Sequence, residues 1–101
     1  MKTLTIFVDV DDTLIRTSGT KRIPRPDVIE KIRQLKQAGH ELFLWSSGGA
    51  EYAQEVANQF DIADVFTTFL PKPEIAIDDV AIQDWTHLRQ IHPNELLGEN
   101  I

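Results

Sequence analysis

The stretch FVDVDDTL, residues 7–14, sets three aspartates within four positions directly behind an apolar run. Like charges crowded against a core are unfavourable unless something uses them. The residues LTIFVD over 4–9 are rich in β-branched and aromatic types and read as a buried strand. In an extended segment residues 9 and 11 share a side, so the carboxylates of Asp9 and Asp11 can face one substrate.

Working outward, TLIRTSGTKRIP (13–24) reads as an irregular loop with room for a small hairpin around Ser18 and Gly19. RPDVIEKIRQLKQAG predicts a helix. Pro26 suits its first turn, Val28, Ile29, Ile32 and Leu35 form one face, and Gly39 ends it. ELFLWS (41–46) is a second strand with Leu42 and Leu44 on one face and Phe43 and Trp45 on the other, as in the interior of a parallel sheet. SSGG (46–49) is a tight loop, and AEYAQEVANQF (50–60) a helix burying Ala53, Val56, Ala57 and Phe60. VFTTFL (65–70) predicts a third strand, PKP a break, IAID (75–78) a short fourth strand, and AIQDWTHLRQI (81–91) a helix with Ile82, Trp85 and Leu88 inward. Alternating strands and helices give an α/β class with a parallel sheet and right-handed crossovers.

Ligands of such sheets bind beyond the carboxyl ends of the strands. Asp9 and Asp11 follow the first strand, Ser46 and Ser47 the second, Lys72 the third, and Asp78 and Asp79 the fourth. Four carboxylates on one edge repel, and a cation relieves them. Oxygen-only ligands suit Mg²⁺, which takes a few carboxylates, waters and a substrate phosphate. A lysine and a hydroxyl beside them would hold phosphate oxygens. One carboxylate can attack phosphorus while the other exchanges a proton with the leaving oxygen.

The chain has 101 residues, enough for one domain spanning 1–101, and 42% of them are apolar, the ordinary globular share. Sixteen acidic against ten basic residues give a net charge of −6. That balance disfavours a general nucleic-acid or anionic-membrane surface. There is no cysteine, hence no disulfide or thiol chemistry. No apolar run approaches the roughly 20 residues of a membrane span. The first residues turn acidic too soon for a signal peptide, so a cytoplasmic protein is expected.

At this point the chain resembles the haloacid dehalogenase superfamily of phosphohydrolases. Its four motifs stand in order as IFVDVDDTL, LFLWSSGG, PKP and IAIDD, over roughly residues 4 to 84. The resemblance implies a three-layer Rossmann-like domain with helices on both faces of a four-stranded parallel sheet in the order 4-1-2-3. It implies an Mg²⁺-dependent phosphatase that hydrolyses phosphomonoesters through an aspartyl-phosphate. Asp9 matches the nucleophile and a metal ligand. Asp11 matches the general acid/base, with its carbonyl on the metal. Thr13 matches the residue that orients the nucleophile loop, and Ser46 the phosphate-binding hydroxyl, with Ser47 as its substitute. Lys72 matches the lysine that steadies nucleophile and phosphate. Asp79 is the better match for direct Mg²⁺ contact, with Asp78 acting through water, and Asp84 could assist from further out. Two features depart from the pattern. Lys72 and Asp78 are unusually close in sequence, and the positions of cap domains are nearly empty. A site without a cap is open to a phosphorylated small molecule or macromolecule, or to completion by a second copy of the chain.

Two other classes compete: a receiver-like phosphoacceptor signalling domain, and a regulatory module of the same fold with little turnover. The acidic pair after Lys72 and the D-x-D-x-T order argue against the first, and the intact set of acidic residues argues against the second. Asp78 or Asp79 also suits a helix N-cap. His40, His87 and His92 lack metal-ligand spacing and read as surface residues. Trp45 and Trp85 read as core. Arg16, Lys21, Arg22 and Arg25 form a basic group beside the site, either solvated or drawing in an anionic substrate.

Overall fold

A computed structural model describes residues 2–101. Strand β1 (Thr5–Asp9) leads into a hairpin of β2 (Ile15–Ser18) and β3 (Lys21–Pro24), followed by helix α1 (Pro26–Gln37). Strand β4 (Glu41–Ser46), helix α2 (Ala50–Gln59) and strand β5 (Thr68–Pro71) complete the regular framework. Short 3-10 turns occupy Ala63–Val65, Ile82–Asp84 and Pro93–Gly98.

The central sheet is parallel, in the order β1-β4-β5, with Val8 opposite Leu44 and Leu44 opposite Phe69. The small hairpin turns on Gly19 and Thr20. Gly19 has φ 62°, the positive value that a two-residue hairpin turn needs at its first central position. Helix α1 begins at Pro26, carries Asp27 in its first turn and Lys36 in its last, and gives way to Gly39 at φ 96°. These signals satisfy or complement the orphan groups at the two helix ends.

One core holds the fold. Val8, Leu42 and Leu44 of the sheet pack with Val28, Ile32 and Leu35 of α1 and Ala53, Val56 and Ala57 of α2. The other face carries Phe7, Phe43 and Trp45, with Phe7 centroids 5.1 Å from Phe43 and 4.8 Å from Trp45. No helix among the described residues covers it, and Phe7 is 45% exposed.

Several expectations change here. The parallel sheet has three strands, and helices lie on one face rather than both. The expected strand over 75–78 is irregular chain with no strand partner among the described residues, and the expected helix over 81–91 is reduced to the turn Ile82–Asp84. A helix that short of tertiary packing is marginal in water, and a strand needs an edge within reach. The third strand starts at Thr68, because Val65 and Phe66 are buried in the core by the preceding turn. His40 is buried rather than superficial, and its Nδ1 accepts the Leu4 N–H at 3.1 Å. Trp45 is half-buried beneath Lys72, and Trp85 is exposed, so neither belongs to the core.

Candidate functional site

The carboxyl edge of the sheet begins where β1 ends. Val10 and Leu14 are fully buried and pin the segment between them. The N–H groups of Thr13, Leu14 and Ile15 all point to the Val10 carbonyl, at 3.3, 2.9 and 3.2 Å. Asp12, at φ 63°, makes the turn possible, a conformation that aspartate tolerates better than most residues. Asp9 and Asp11, flanking buried Val10, are thereby left partly exposed on the same edge.

Asp9 is held at both oxygens. Lys72 Nζ lies 3.0 Å from Oδ1, and Thr13 Oγ1 donates to Oδ2 at 3.1 Å. Lys72 is fixed in turn by its own N–H, which donates to the Ser46 carbonyl at 2.9 Å, and by the Trp45 ring, 5.9 Å from its ammonium. Each Asp9 oxygen keeps a lone pair for other chemistry. Asp11 Oδ1 accepts from the Tyr52 hydroxyl at 2.7 Å. Burial, the hydrogen bond to Asp11 and the charge of Asp11 raise the Tyr52 pKa above its ordinary value, and Arg22 opposes them. The phenol is therefore a donor to Asp11 throughout the neutral range.

Ser46 is buried, and its Oγ accepts the Gly48 N–H at 3.0 Å, which shapes the loop into α2. Ser47 is exposed beside it. A side chain at Gly48 would meet Tyr52 Cδ2 at 3.0 Å, so the glycine makes room for the tyrosine that holds Asp11. Tyr52 carried no motif. Only its place one turn into the helix after the SSGG loop could have marked it.

The structure brings Asp9, Asp11, Thr13, Ser46 and Lys72 to one edge. It does not bring Asp78 and Asp79 there. Both are exposed in the chain after β5, and Asp78 Oδ1 accepts the Val80 N–H at 2.9 Å as a local turn cap. Among the described residues no three His, Cys, Asp or Glu side chains stand together as a cation site. The donor set for Mg²⁺ is thus incomplete in this arrangement.

The basic group divides. Arg22 turns toward α2, donating to Gln59 Oε1 at 2.8 Å and lying 5.2 Å from the Tyr52 ring centroid. Arg16 and Arg25 instead line a groove with Asp12, His92 and Asn94. No helix among the described residues is long and apolar enough to cross a membrane.

These features define an α/β domain with two aspartates, a serine and a lysine at the carboxyl edge of a parallel sheet. The chain belongs to the family described as protein of unknown function (DUF705), whose model matches residues 2–91. Comparison with curated proteins and with solved structures finds no match.

Proposed function

We propose that the protein is a phosphatase of the haloacid dehalogenase type, acting on phosphomonoesters through an aspartyl-phosphate on Asp9. The observation that carries this reading is the two-point hold on Asp9 by Lys72 and Thr13 beside an Asp11 held by Tyr52. In the first step an Asp9 carboxylate oxygen forms a bond to phosphorus and the ester oxygen leaves. Asp11 acts as the general acid and passes a proton to that oxygen. In the second step water attacks the phosphorus, Asp11 takes the proton from the water, and the bond from Asp9 to phosphorus breaks. Lys72 opposes the negative charge that builds on the transferring group. Ser47, exposed beside Ser46, offers a hydroxyl to a phosphate oxygen.

Mg²⁺, if bound, would supply Lewis-acid chemistry at the phosphoryl oxygens, and Asp9 and the Asp11 carbonyl are the groups on this edge that would hold it. The order 4-1-2-3, with the IAID segment beside β1, would add Asp78 and Asp79. Turnover of an aryl phosphate and of a panel of phosphate esters, with Mg²⁺ and with chelator, tests the reading. Metal-dependent turnover that Asp9→Asn abolishes is expected. Equal rates in chelator, or a fully active Asp9→Asn, would refute it.

A second reading, a phosphoacceptor with little turnover, draws on one observation: Asp78 and Asp79 stand apart from Asp9. A stable phosphoryl group on Asp9 after a single turnover separates the two.

A further inference from the structure

We propose that the groove between the nucleophile loop and the C-terminal tail is a second phosphate subsite, and that it selects as substrate a small hydroxylated bisphosphate. Asp9 would take one phosphate while the groove holds the other. The choice of substrate rests on the phosphatase reading, but the groove as a phosphate subsite does not.

The groove is lined by Asp12, Arg16, Arg25, His92 and Asn94. Its volume is about 420 Å³, within the range of small-molecule sites, roughly 300–1,000 Å³. Its position follows from the topology. Strands β1 and β4 are parallel, so the helix between them runs the opposite way and starts at the carboxyl edge. Arg25, at the head of α1, therefore stands at the edge that carries Asp9 and Asp11. Asp12 lies three residues beyond Asp9, so their Cα atoms are at most about 11 Å apart. Two backbone hydrogen bonds tie the groove to the same loop. The Asp12 N–H donates to the Ile15 carbonyl at 2.8 Å, and the Arg25 N–H to the Leu14 carbonyl at 2.9 Å.

The opposite wall comes from the far end of the chain. Leu96 and Ile101 pack against the core, and Lys31 Nζ of α1 donates to the Glu99 carbonyl at 3.2 Å. These contacts hold the turn Pro93–Gly98, and with it His92 and Asn94, beside α1. His92 Nδ1 accepts the Asn94 N–H at 3.1 Å. The proton of the neutral imidazole is then on Nε2, which makes that nitrogen a donor.

The groups of the groove are not paired off with one another. Among the described residues Arg16 forms no ion pair, and Arg25 meets only Asp27, in the first turn of α1, at 3.6 Å. Arg22 differs, because Gln59 and the Tyr52 ring already engage it. Two guanidinium forks and an imidazole N–H suit a phosphate, whose oxygens accept several donors at once. Asp12 is an acceptor only, and Asn94 brings an acceptor and donors. Acceptors repel a bare anion but suit hydroxyl groups. Asp12 and Asp27 also offset the charge of the two arginines, so a long phosphate backbone gains little from this groove. A short carbon skeleton with hydroxyls, carrying a phosphate at each end, matches the donors and the acceptors together. Its hydrolysis converts the bisphosphate and water into inorganic phosphate and a monophosphate. The ester bond at Asp9 breaks, and the one in the groove stays intact.

The test compares a hexose bisphosphate with the matching hexose monophosphate on the full chain. The wild type is expected to favour the bisphosphate by about tenfold in kcat/KM, through KM. Arg16→Ala is expected to lower that ratio several-fold, and Arg16→Ala with Arg25→Ala to bring it close to one. Asn94→Ala is expected to lower it as well. Lys36→Ala removes a positive charge at the other end of α1 and is expected to leave the ratio as it is, which separates the groove from a general charge effect. A wild type that turns over both esters without preference, or a preference that survives the double arginine variant, would overturn the proposal. A wild type without turnover on any ester, the aryl phosphate included, would count against the phosphatase reading instead. Titration calorimetry with the same bisphosphate then decides the groove alone. Binding to the wild type that the double arginine variant weakens about tenfold or more is expected. No binding, or binding indifferent to that variant, would overturn the subsite.

Discussion

Lys72 Nζ lies 3.0 Å from Asp9 Oδ1, joining the end of β5 to the end of β1 across the intervening strand β4. The lysine is 38% and the aspartate 31% exposed, so solvent screens the pair. It positions more than it stabilises. Lys72→Ala is expected to change stability by no more than about 1 kcal/mol. Its effect on kcat should be far larger, about 10²–10³-fold, as for loss of one preorganised group facing developing charge. Thermal melts and steady-state kinetics on the same preparation check both.

Tyr52 gives a pH dependence whose sign is fixed by the structure. Burial and the hydrogen bond and charge of Asp11 raise its pKa above 10.0. The native state therefore holds the phenolic proton more tightly than the unfolded chain does. The resulting stability is fully present below the unfolded value of 10.0 and is lost as pH rises through the folded pKa. The chain has one tyrosine, so phenolate absorbance reads this group alone. Asp11→Asn is expected to move the titration back toward the ordinary value.

The divided basic group predicts a divided response. Arg16→Ala and Arg25→Ala are expected to raise KM for a highly charged phosphate ester several-fold and leave kcat nearly unchanged. Arg22→Ala should leave KM alone, because its guanidinium is committed to Gln59, Glu55 and the Tyr52 ring. Kinetics with esters of low and high charge separate these outcomes.

Gly49 begins α2 at φ 105° and ψ 167°, a region that residues with a side chain rarely enter. Nothing lies within 4 Å of a Cβ built there, so the penalty for Gly49→Ala is backbone strain alone. A loss of about 1–3 kcal/mol is expected. In a domain of this size each kcal/mol lowers Tm by about 4–8 °C, readily seen in a thermal melt.

Local pattern alone was enough for β1, α1, β4 and α2. Their apolar spacing and end signals, from Pro26 to Gly39 and from Ser46 to Gly49, act within a few residues. The placement of Asp9, Asp11, Ser46 and Lys72 on one edge follows from the same pattern, because parallel strands put their carboxyl ends together. Tertiary structure decided what depends on distance. His40 is buried because the Leu4 amide, 36 positions away, meets its Nδ1. Tyr52 joins the site because α2 returns over the loop that carries Asp11, 41 positions earlier. The alternation of IAID marks a strand, but a strand also needs an edge that the chain can reach. From a Lys72 anchored at Asp9, three residues do not span the sheet.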